Sequence, residues 1–387
     1  MFIRDSARIP DEPLTNLTKV VSIVILKVLS CKDNRRRFHE EVLAVVASVT
    51  IYDVAQKAGV SIASVSRVLN SPEQVHSTTR ARVITAIDEL GFVPKAEAAA
   101  RARRSSRRIG VLAPFFTYPS FVQRLRGIAT SLSMVANELV IYNVDSSAHR
   151  DAYLTSLPLT RRLDGIIVMA LPFAERVAER LMQRLAAHEM DVVLIEWSHA
   201  MFSSIVIDDV AGGRLVGDYL LGLGRRRLGF VGDSDLPDYA IHTSDQRMIG
   251  FRQALEGAGQ ELLPDYVALA PHGLETAYRQ ALRLFALPTP PDAIFAASDT
   301  QALGVLKAAR DRSLRVPGDL AIVGFDDLDI ADYIGLTTVR QPKTDMARVA
   351  VVSALGLVIA GVASVIRIRL SFELAVALVL LAGIGLT

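Results

Sequence analysis

The stretch TIYDVAQKAGVSIASVSRVLN, residues 50–70, places three serine hydroxyls (Ser61, Ser64, Ser66) and the guanidinium of Arg67 just after a glycine. Hydroxyls and arginine are groups that donate to phosphate oxygens and base edges, so this run has the chemistry to grip a duplex if a helix presents it. The spacing supplies such a helix. Val54, Ala55 and Ala58 share one face of a first helix, Gly59 permits a tight turn and Val60 plugs it. Val65, Val68 and Leu69 form the inner face of a second helix that begins at Ser61. Ala55 is small where two helices cross closely. This is a helix-turn-helix pattern, in which the second helix enters the major groove. A plain helical hairpin has the same spacing, and the pattern alone leaves that alternative open.

The rest of the chain must position this segment. With 387 residues, 51% of them hydrophobic, it is long enough for two or three ordinary cores. A single cysteine, Cys31, rules out an intramolecular disulfide framework and suits a reducing cytoplasm. Two apolar stretches do not read as membrane segments. VVSIVILKVLS is interrupted by Lys27, follows Asp11, Glu12 and Lys19, and is not followed by a small-residue cleavage site. LAVALVLLAGIGLT falls short of the roughly 20 apolar residues that a bilayer demands, and Arg367, Arg369 and Glu373 separate it from the preceding apolar run. A cytoplasmic protein without a membrane partner is expected.

Charge is uninformative globally and informative locally. The whole chain carries +2, whereas residues 49–108 hold ten basic side chains against five acidic ones, so the remainder is net acidic. A basic end on an otherwise acidic chain suits phosphate-backbone binding, although a solvated basic linker has the same composition.

The wording of the segment is more specific than its pattern. Residues 50–70, followed by VHSTTRARVITAIDELGFVP, closely resemble the N-terminal domain of the lactose-repressor/galactose-repressor family of bacterial transcription regulators, almost without a gap from Thr50 to Pro94. By that resemblance Ile62, Ala63 and Arg67 fall where the family reads bases, and Thr50, Tyr52, Ser61, Ser64, Ser66 and Asn70 at or near phosphate contacts. Arg67 could donate two hydrogen bonds to a guanine edge. Ile62 and Ala63 offer only apolar contact, for example to a thymine methyl. The resemblance implies a homodimer on a pseudo-palindromic double-stranded DNA operator.

Beyond the basic end, apolar runs alternate with helical stretches: IGVLAPF, ELVIYNV, GIIVMAL, VVLIEW, SIVIDD, LGFVGD, AIFAAS and LAIVGFDD. Strands spaced by helices imply parallel sheets with right-handed crossovers, and this many strands imply two doubly wound halves with a ligand at the carboxyl ends of the strands. The expected fold is therefore an all-α helix-turn-helix domain (residues 49–94), a hinge (95–108) and an α/β core over 109–376. That core resembles the family's periplasmic-binding-protein-like core of two doubly wound, discontinuous subdomains. An atypical apolar tail covers 377–387.

Within the core the resemblance assigns effector contacts to Asp299, Arg247, Thr243, Tyr118, Ser120, Phe121 and His272. A carboxylate that accepts from hydroxyls, an arginine that donates several hydrogen bonds and rings that stack are the equipment of a sugar or nucleobase pocket. The expected ligand is a small-molecule effector, a sugar or related metabolite, with no cofactor. Two other classes remain in view: a periplasmic-type sugar-binding protein without DNA function, and an α/β enzyme. The first needs a signal peptide and no helix-turn-helix. For the second, AGGRLVG and GVLAPFF match neither the dinucleotide fingerprint nor the phosphate loop that ends in Lys-Ser/Thr, and there is no Cys/His metal cluster or nucleophile elbow. Asp208 and Asp209, adjacent at a strand end, read as helix-capping residues rather than a catalytic pair.

Three departures limit the resemblance. The hinge PKAEAAARARRSS has Lys95 where relatives carry Asn and Arg101 where they carry a leucine that wedges into the minor groove, and Arg225 stands where His is common. Five arginines between Arg101 and Arg108 are expected to track the minor groove and its phosphates, favouring a narrow, A·T-rich operator centre. Neutralising Arg101, Arg103 and Arg104 together should then lower the magnitude of the log K against log[salt] slope by roughly 0.9 for each phosphate that a subunit no longer neutralises, whereas an unchanged slope would mark a solvated linker. Finally, residues 1–48 read as a non-native or disordered leader. Translation is expected to begin near Val45 or Val46, at a GTG codon behind a purine-rich stretch encoding Glu40, Glu41 and Val42, and N-terminal sequencing of the native protein checks this.

Overall fold

A computed structural model of the chain describes residues 2–4, 49–70, 74–90, 92, 108–160, 162–186 and 190–355. Cys31, Lys95, Arg101, the other hinge arginines up to Arg107 and the apolar tail lie outside these residues, as does nearly all of the expected leader.

Three helices open the described chain: α1 (Ile51–Ala58), α2 (Ile62–Asn70) and α3 (Ser77–Leu90). Helix α1 starts at a capping box. The Thr50 N–H donates to Asp53 Oδ2 at 2.7 Å, and the Asp53 N–H donates to Thr50 Oγ1 at 3.4 Å. It stops at Gly59, whose φ of 61° is the left-handed conformation that glycine adopts without a Cβ penalty. Arg82 of α3 closes that end by donating from Nη2 to the carbonyls of Ala58 (2.6 Å) and Gly59 (3.0 Å), two of the acceptors a helix terminus leaves open. Ser61 then starts α2, its Oγ accepting from the Ser64 N–H at 3.1 Å. The apolar faces meet as the spacing requires. Val54, Val65 and Val83 are fully buried, each contributing roughly 1.5–3 kcal/mol, with Ala55, Ala58, Val68, Leu69, Ala86, Ile87 and Phe92 around them.

The remainder alternates strands and helices. Strands β2 (Arg108–Ala113), β3 (Glu138–Asn143), β4 (Gly165–Met169), β5 (Asp191–Ile195) and β6 (Ser203–Ile205) are interleaved with helices α4 (Pro119–Ser133), α5 (Ser147–Thr160) and α6 (Glu175–Ala186). They form an all-parallel sheet in the order β3-β2-β4-β5-β6. Helix α7 (Asp209–Gly222) leads to a second set: β7 (Leu228–Asp233), β8 (Val267–Ala270), β9 (Ala293–Ala296), β10 (Ala321–Asp326) and β11 (Thr337–Arg340). Its helices are α8 (Thr243–Gly257), α9 (Leu274–Phe285), α10 (Asp299–Asp311) and the short α11 (Asp329–Tyr333), and α12 (Lys343–Ala354) ends the described chain. The second set is also parallel, in the order β8-β7-β9-β10-β11. Within the expected leader, Phe2–Arg4 form β1, antiparallel to β11 on its outer edge, with Ile3 opposite Val339.

Both parallel sheets thus use the doubly wound order 2-1-3-4-5, and all eight strand runs expected from the sequence coincide with observed strands. Such a sheet has a topological switch point, where neighbouring crossovers leave to opposite faces and open a crevice at the strand carboxyl ends. In the second sheet that point lies between β7 and β9, where Phe230 pairs with Phe295 and Val231 with Ala296. Beneath it Phe230, Phe251, Phe295 and Phe325 are fully buried and touch at 5.3–6.3 Å between ring centroids.

The glycines of AGGRLVG have a packing role. They lie inside α7, where a Cβ on Gly213 would sit 1.9 Å from the carbonyl oxygen of Arg247 in α8, and one on Gly250 of α8 would sit 1.8 Å from that of Val210. Only glycine lets these two backbones come so close. The described residues fall into two compact units. One holds Ile207–Lys343 with Thr117–Gln123 and β1, and the other holds the three-helix segment, the first sheet and the end of α12.

Candidate DNA-reading face and effector site

The three-helix segment keeps one side of α2 open. Ile62 is 42% exposed, Ala63 and Arg67 are exposed, and Ser64 and Ser66 are half-buried beside them, while Val65, Val68 and Leu69 turn inward. Ala63 and Arg67 are one turn apart, so the pair lies on a single stripe. On α1, Tyr52 is 67% exposed. Two of the expected phosphate contacts also serve the backbone. The Thr50 hydroxyl lies 2.6 Å from Asp53 Oδ2, and Ser61 Oγ lies 2.9 Å from Ser64 Oγ. Hydrogen bonds from the Thr50 hydroxyl and backbone hold the Asp53 carboxyl below its ordinary value. Asn70 is the last residue of α2.

All seven expected effector residues fall in the unit built around the second sheet. They follow strand ends or open helices: Thr243 and Arg247 in the first turns of α8, His272 after β8, Asp299 as the first residue of α10, and Tyr118, Ser120 and Phe121 where α4 begins. The structure brings Tyr118 and His272 together as a stacked pair, 5.0 Å between centroids and 18° between planes. Both are partly exposed, as are Ser120, Phe121 and Thr243.

Arg247 and Asp299, to which the resemblance assigns effector contacts, are both bonded within the protein. Arg247 is 5% exposed. Its Nε donates to Asp209 Oδ1 at 2.8 Å, its Nη1 donates to the Ala297 carbonyl at 2.5 Å, and its guanidinium carbon lies 3.8 Å from the centre of the Phe325 ring. Asp299 is fully buried. Its Oδ2 accepts from the Leu328 N–H at 2.7 Å, and its Oδ1 accepts from the Thr338 hydroxyl at 2.5 Å. Asp299 thus ties the start of α10 to the residues after β10, and Arg247 ties α8 to the start of α7 and to the residue after β9.

Asp299 also has a charged neighbourhood. Burial first, and the nearby Asp326 carboxylate second, push its carboxyl up to about 7 against the pull of Thr338, the Leu328 N–H and Lys343. Lys343 compensates Asp326: its Nζ donates to the Asp326 carbonyl at 2.6 Å and to Gln123 Oε1 at 2.8 Å, and lies 3.7 Å from Asp326 Oδ1. A carboxyl whose pKa is higher folded than unfolded makes the folded state bind the extra proton between about pH 4 and 7. Its contribution to stability is therefore fully present below about pH 4, declines as pH rises, and is gone above about 7. The thermal midpoint of the natural chain should fall relative to that of Asp299→Asn as pH rises from 5 to 8. Parallel pH curves for the two proteins would contradict this.

Other polar and aromatic residues gather at the strand ends of each unit. Asp233, at the end of β7, takes the His272 Nδ1 at 3.0 Å and the Gln301 amide nitrogen at 2.8 Å on one oxygen, and its own N–H donates to Ser244 Oγ at 3.0 Å. It thereby joins the ends of β7, β8 and β9 at the switch point. Asp208 caps α7 by accepting from the Ala211 N–H at 2.8 Å, as its place at a strand end implies, whereas Asp209 is the partner of Arg247. In the other unit, Phe173, Trp197, His199 and Phe202 cluster after β4 and β5, with Phe173 and Trp197 at 4.6 Å. The buried ion pair Arg124–Glu196 also lies in that unit. For Asp233, Asp208, Phe173 and Trp197 the signal was their position at or just beyond the end of a strand that the sequence does announce.

Among the described residues no group of three or more His, Cys, Asp or Glu could hold a metal ion, and no helix is long and apolar enough to cross a membrane. Comparison with known proteins bears on the family and the fold. The family described as bacterial regulatory proteins, lacI family, matches residues 50–95, and the periplasmic binding protein-like domain matches residues 218–372. The HTH-type transcriptional regulator DegA of Bacillus subtilis (strain 168) is 30% identical over 301 residues, covering 77% of this chain and 88% of the relative. The HTH-type transcriptional repressor CytR of Escherichia coli (strain K12) is 32% identical over 313 residues, covering 78% and 88%. Among solved structures, the lac repressor dimer bound to operator and the anti-inducer ONPF is similar with a TM-score of 0.57 and 25% identity, over 80% of this chain and 92% of that one. The complex of the transcriptional regulator CelR with cellobiose has a TM-score of 0.55 and 26% identity, over 80% and 92%.

Proposed function

Because the chain belongs to the lacI family of bacterial regulatory proteins, whose members are DNA-binding transcriptional regulators, we propose that it is a cytoplasmic, homodimeric repressor whose operator affinity is set by a small polar metabolite. Each subunit presents α2 to one half-site of a pseudo-palindromic duplex. Arg67 donates to a guanine edge, Ile62 and Ala63 contact apolar base edges, and Thr50, Tyr52, Ser61, Ser64, Ser66 and Asn70 hold phosphates, with Lys95 and Arg101 adding hinge contacts. The observation that carries this reading is the open stripe of Ile62, Ala63 and Arg67 on a helix whose opposite side is fully packed. Every helix on a protein surface leaves one side open; here the open side carries the residue types suited to base edges.

The effector binds at the carboxyl ends of β7–β10. The stacked Tyr118 and His272 rings offer a flat apolar surface, and Asp233 fixes the orientation of His272. Thr243, Ser120 and Phe121 lie on the same unit. A hydroxyl-bearing ligand competes with the inward hydrogen bonds of Arg247 and Asp299, those of Asp299 with Leu328 and Thr338 and those of Arg247 with Asp209 and Ala297. A sugar or a related polyol suits this donor and acceptor set, and relatives crystallised with cellobiose and sucrose support that class. The chemistry calls for no cofactor and assigns no catalytic residue. Ligand acts through its difference in affinity for the DNA-competent and DNA-incompetent states.

The reading is tested by selecting duplexes from a random pool on the purified full chain, then screening sugars, polyols and nucleosides by thermal shift. A consensus with two-fold symmetry and a stabilising hydroxyl-bearing ligand are expected. Recovery of unrelated duplexes would remove the DNA half of the reading, and a screen answered only by planar bases would replace the sugar with a nucleobase.

A further inference from the structure

Three charged side chains meet in the interior of the second sheet's unit, and their charges do not cancel. Asp299 of α10, Asp326 at the end of β10 and Lys343 at the start of α12 are each no more than 5% exposed. Lys343 leans toward Asp326, lying 3.7 Å from its Oδ1 and donating to its carbonyl, and the Gln341 amide donates to the same Oδ1 at 3.1 Å. The other charges around Asp299 already have partners: Arg247 of α8 with Asp209 of α7, Arg340 of β11 with Asp327, and His272 with Asp233, which also holds Gln301 of α10. Asp329 of α11 accepts from the Gln123 amide, whose oxygen accepts from Lys343. Two buried carboxylates therefore share one ammonium, and the excess negative charge falls on Asp299, where a proton relieves it.

The hydrogen bonds fix where that proton sits. Asp299 Oδ2 accepts from the Leu328 N–H at 2.7 Å, so an O–H on that oxygen would crowd a donor, and the proton belongs on Oδ1. There it faces the Thr338 hydroxyl at 2.5 Å, whose oxygen also accepts from the Asp327 N–H at 3.3 Å. Thr338 donates to an ionised Asp299 and accepts from a protonated one, so one proton reverses a hydrogen bond in the chain that reaches the turn after β10. That turn is strained: Asp326 and Asp327 have φ of 124° and 52°, which residues with a Cβ rarely adopt. We propose that Asp299, Asp326 and Lys343 form a one-proton switch for the turn 326–328, which is clamped when Asp299 carries the proton and loosened when the two carboxylates repel. The turn lies at the carboxyl end of its sheet, where the effector is assigned. The pH near neutrality then sets how readily this strand end gives way to a ligand, a regulatory meaning that rests on the effector reading, whereas the switch itself does not.

The switch is tested on the full chain without ligand or DNA, so its failure is separable from failure of the effector reading. Hydrogen-exchange protection factors, which divide out the ordinary rise of exchange with pH, are measured for residues 327 and 328 from about pH 5 to about 9, with the amides of β7 as the reference for intact folding. In the natural chain, protection should fall about tenfold as pH rises through neutrality while β7 holds. Asp299→Asn should remove that fall. Asp326→Asn should move its midpoint down by at least about one pH unit, and Lys343→Met should move it up by at least about one, whatever either does to overall protection. The opposite directions keep the test decisive if one variant fails to fold. Protection that does not change with pH in the natural chain, a fall that survives in Asp299→Asn, or a midpoint that stays in place in either charge variant would each overturn the proposal.

Discussion

Arg67→Ala should weaken specific operator binding by roughly 1–3 kcal/mol per half-site, and should relax the preference at one base pair in each half. The arginine lies in the last turn of α2 with its side chain exposed, between the buried Val65 and Val68, so its removal empties no core position. The thermal midpoint should hold, and binding to random duplex should change by no more than one phosphate contact's share of the salt dependence. A guanidinium that contacted only phosphate would behave differently: affinity would drop about equally on operator and random DNA. Titrating both duplexes by fluorescence anisotropy at two salt concentrations separates the outcomes. Equal losses on the two would remove Arg67 from base reading.

Asp299→Ala carries the second large effect. From sequence, the expected cost is roughly 2 to 4 kcal/mol in effector affinity, because ligand hydroxyls lose their acceptor. The structure supplies an additional reason. The same carboxylate accepts from the Leu328 N–H and the Thr338 hydroxyl, so its loss frees the residues after β10 and leaves two buried donors without their partner. Gly324 belongs to this constraint, since a Cβ there would fall 2.3 Å from Asp299 Oδ1. Effector affinity measured by calorimetry should fall accordingly, while operator affinity without effector survives. Loss of operator binding with the effector response intact would place the effector elsewhere.

Much of this was legible because it is written in runs of one kind of residue. Most of the eight apolar runs became strands buried on both faces of a parallel sheet, whereas β3, on a sheet edge, is only partly buried. VALA at β8 and TTVR at β11 were not announced. The first is four residues on a sheet edge with alternating burial, and the second has three polar residues of four, with Thr338 turned inward to Asp299. The helix-turn-helix was visible for the same reason as the long strands: its three inward positions on each helix repeat at helical spacing. Charged pairs behave otherwise. Asp209 and Arg247 are 38 positions apart, and nothing in either neighbourhood marks the other. Their meeting depends on α7 and α8 crossing with Gly213 against the Arg247 backbone, a contact visible only in three dimensions. Asp233 was within reach, being the acidic end of the run LGFVGD, but its role requires knowing that β7 borders the switch point.

The central claim is that a ligand at the ends of β7–β10 sets the affinity of α2 for its operator. It is tested most directly by titrating the selected operator with the full chain at fixed ionic strength, with and without a saturating amount of the ligand that stabilises the protein. The account predicts an affinity changed at least fivefold by the ligand, with the change abolished in Asp299→Ala and the ligand-free affinity retained. An operator affinity that stays the same at saturating ligand would contradict it.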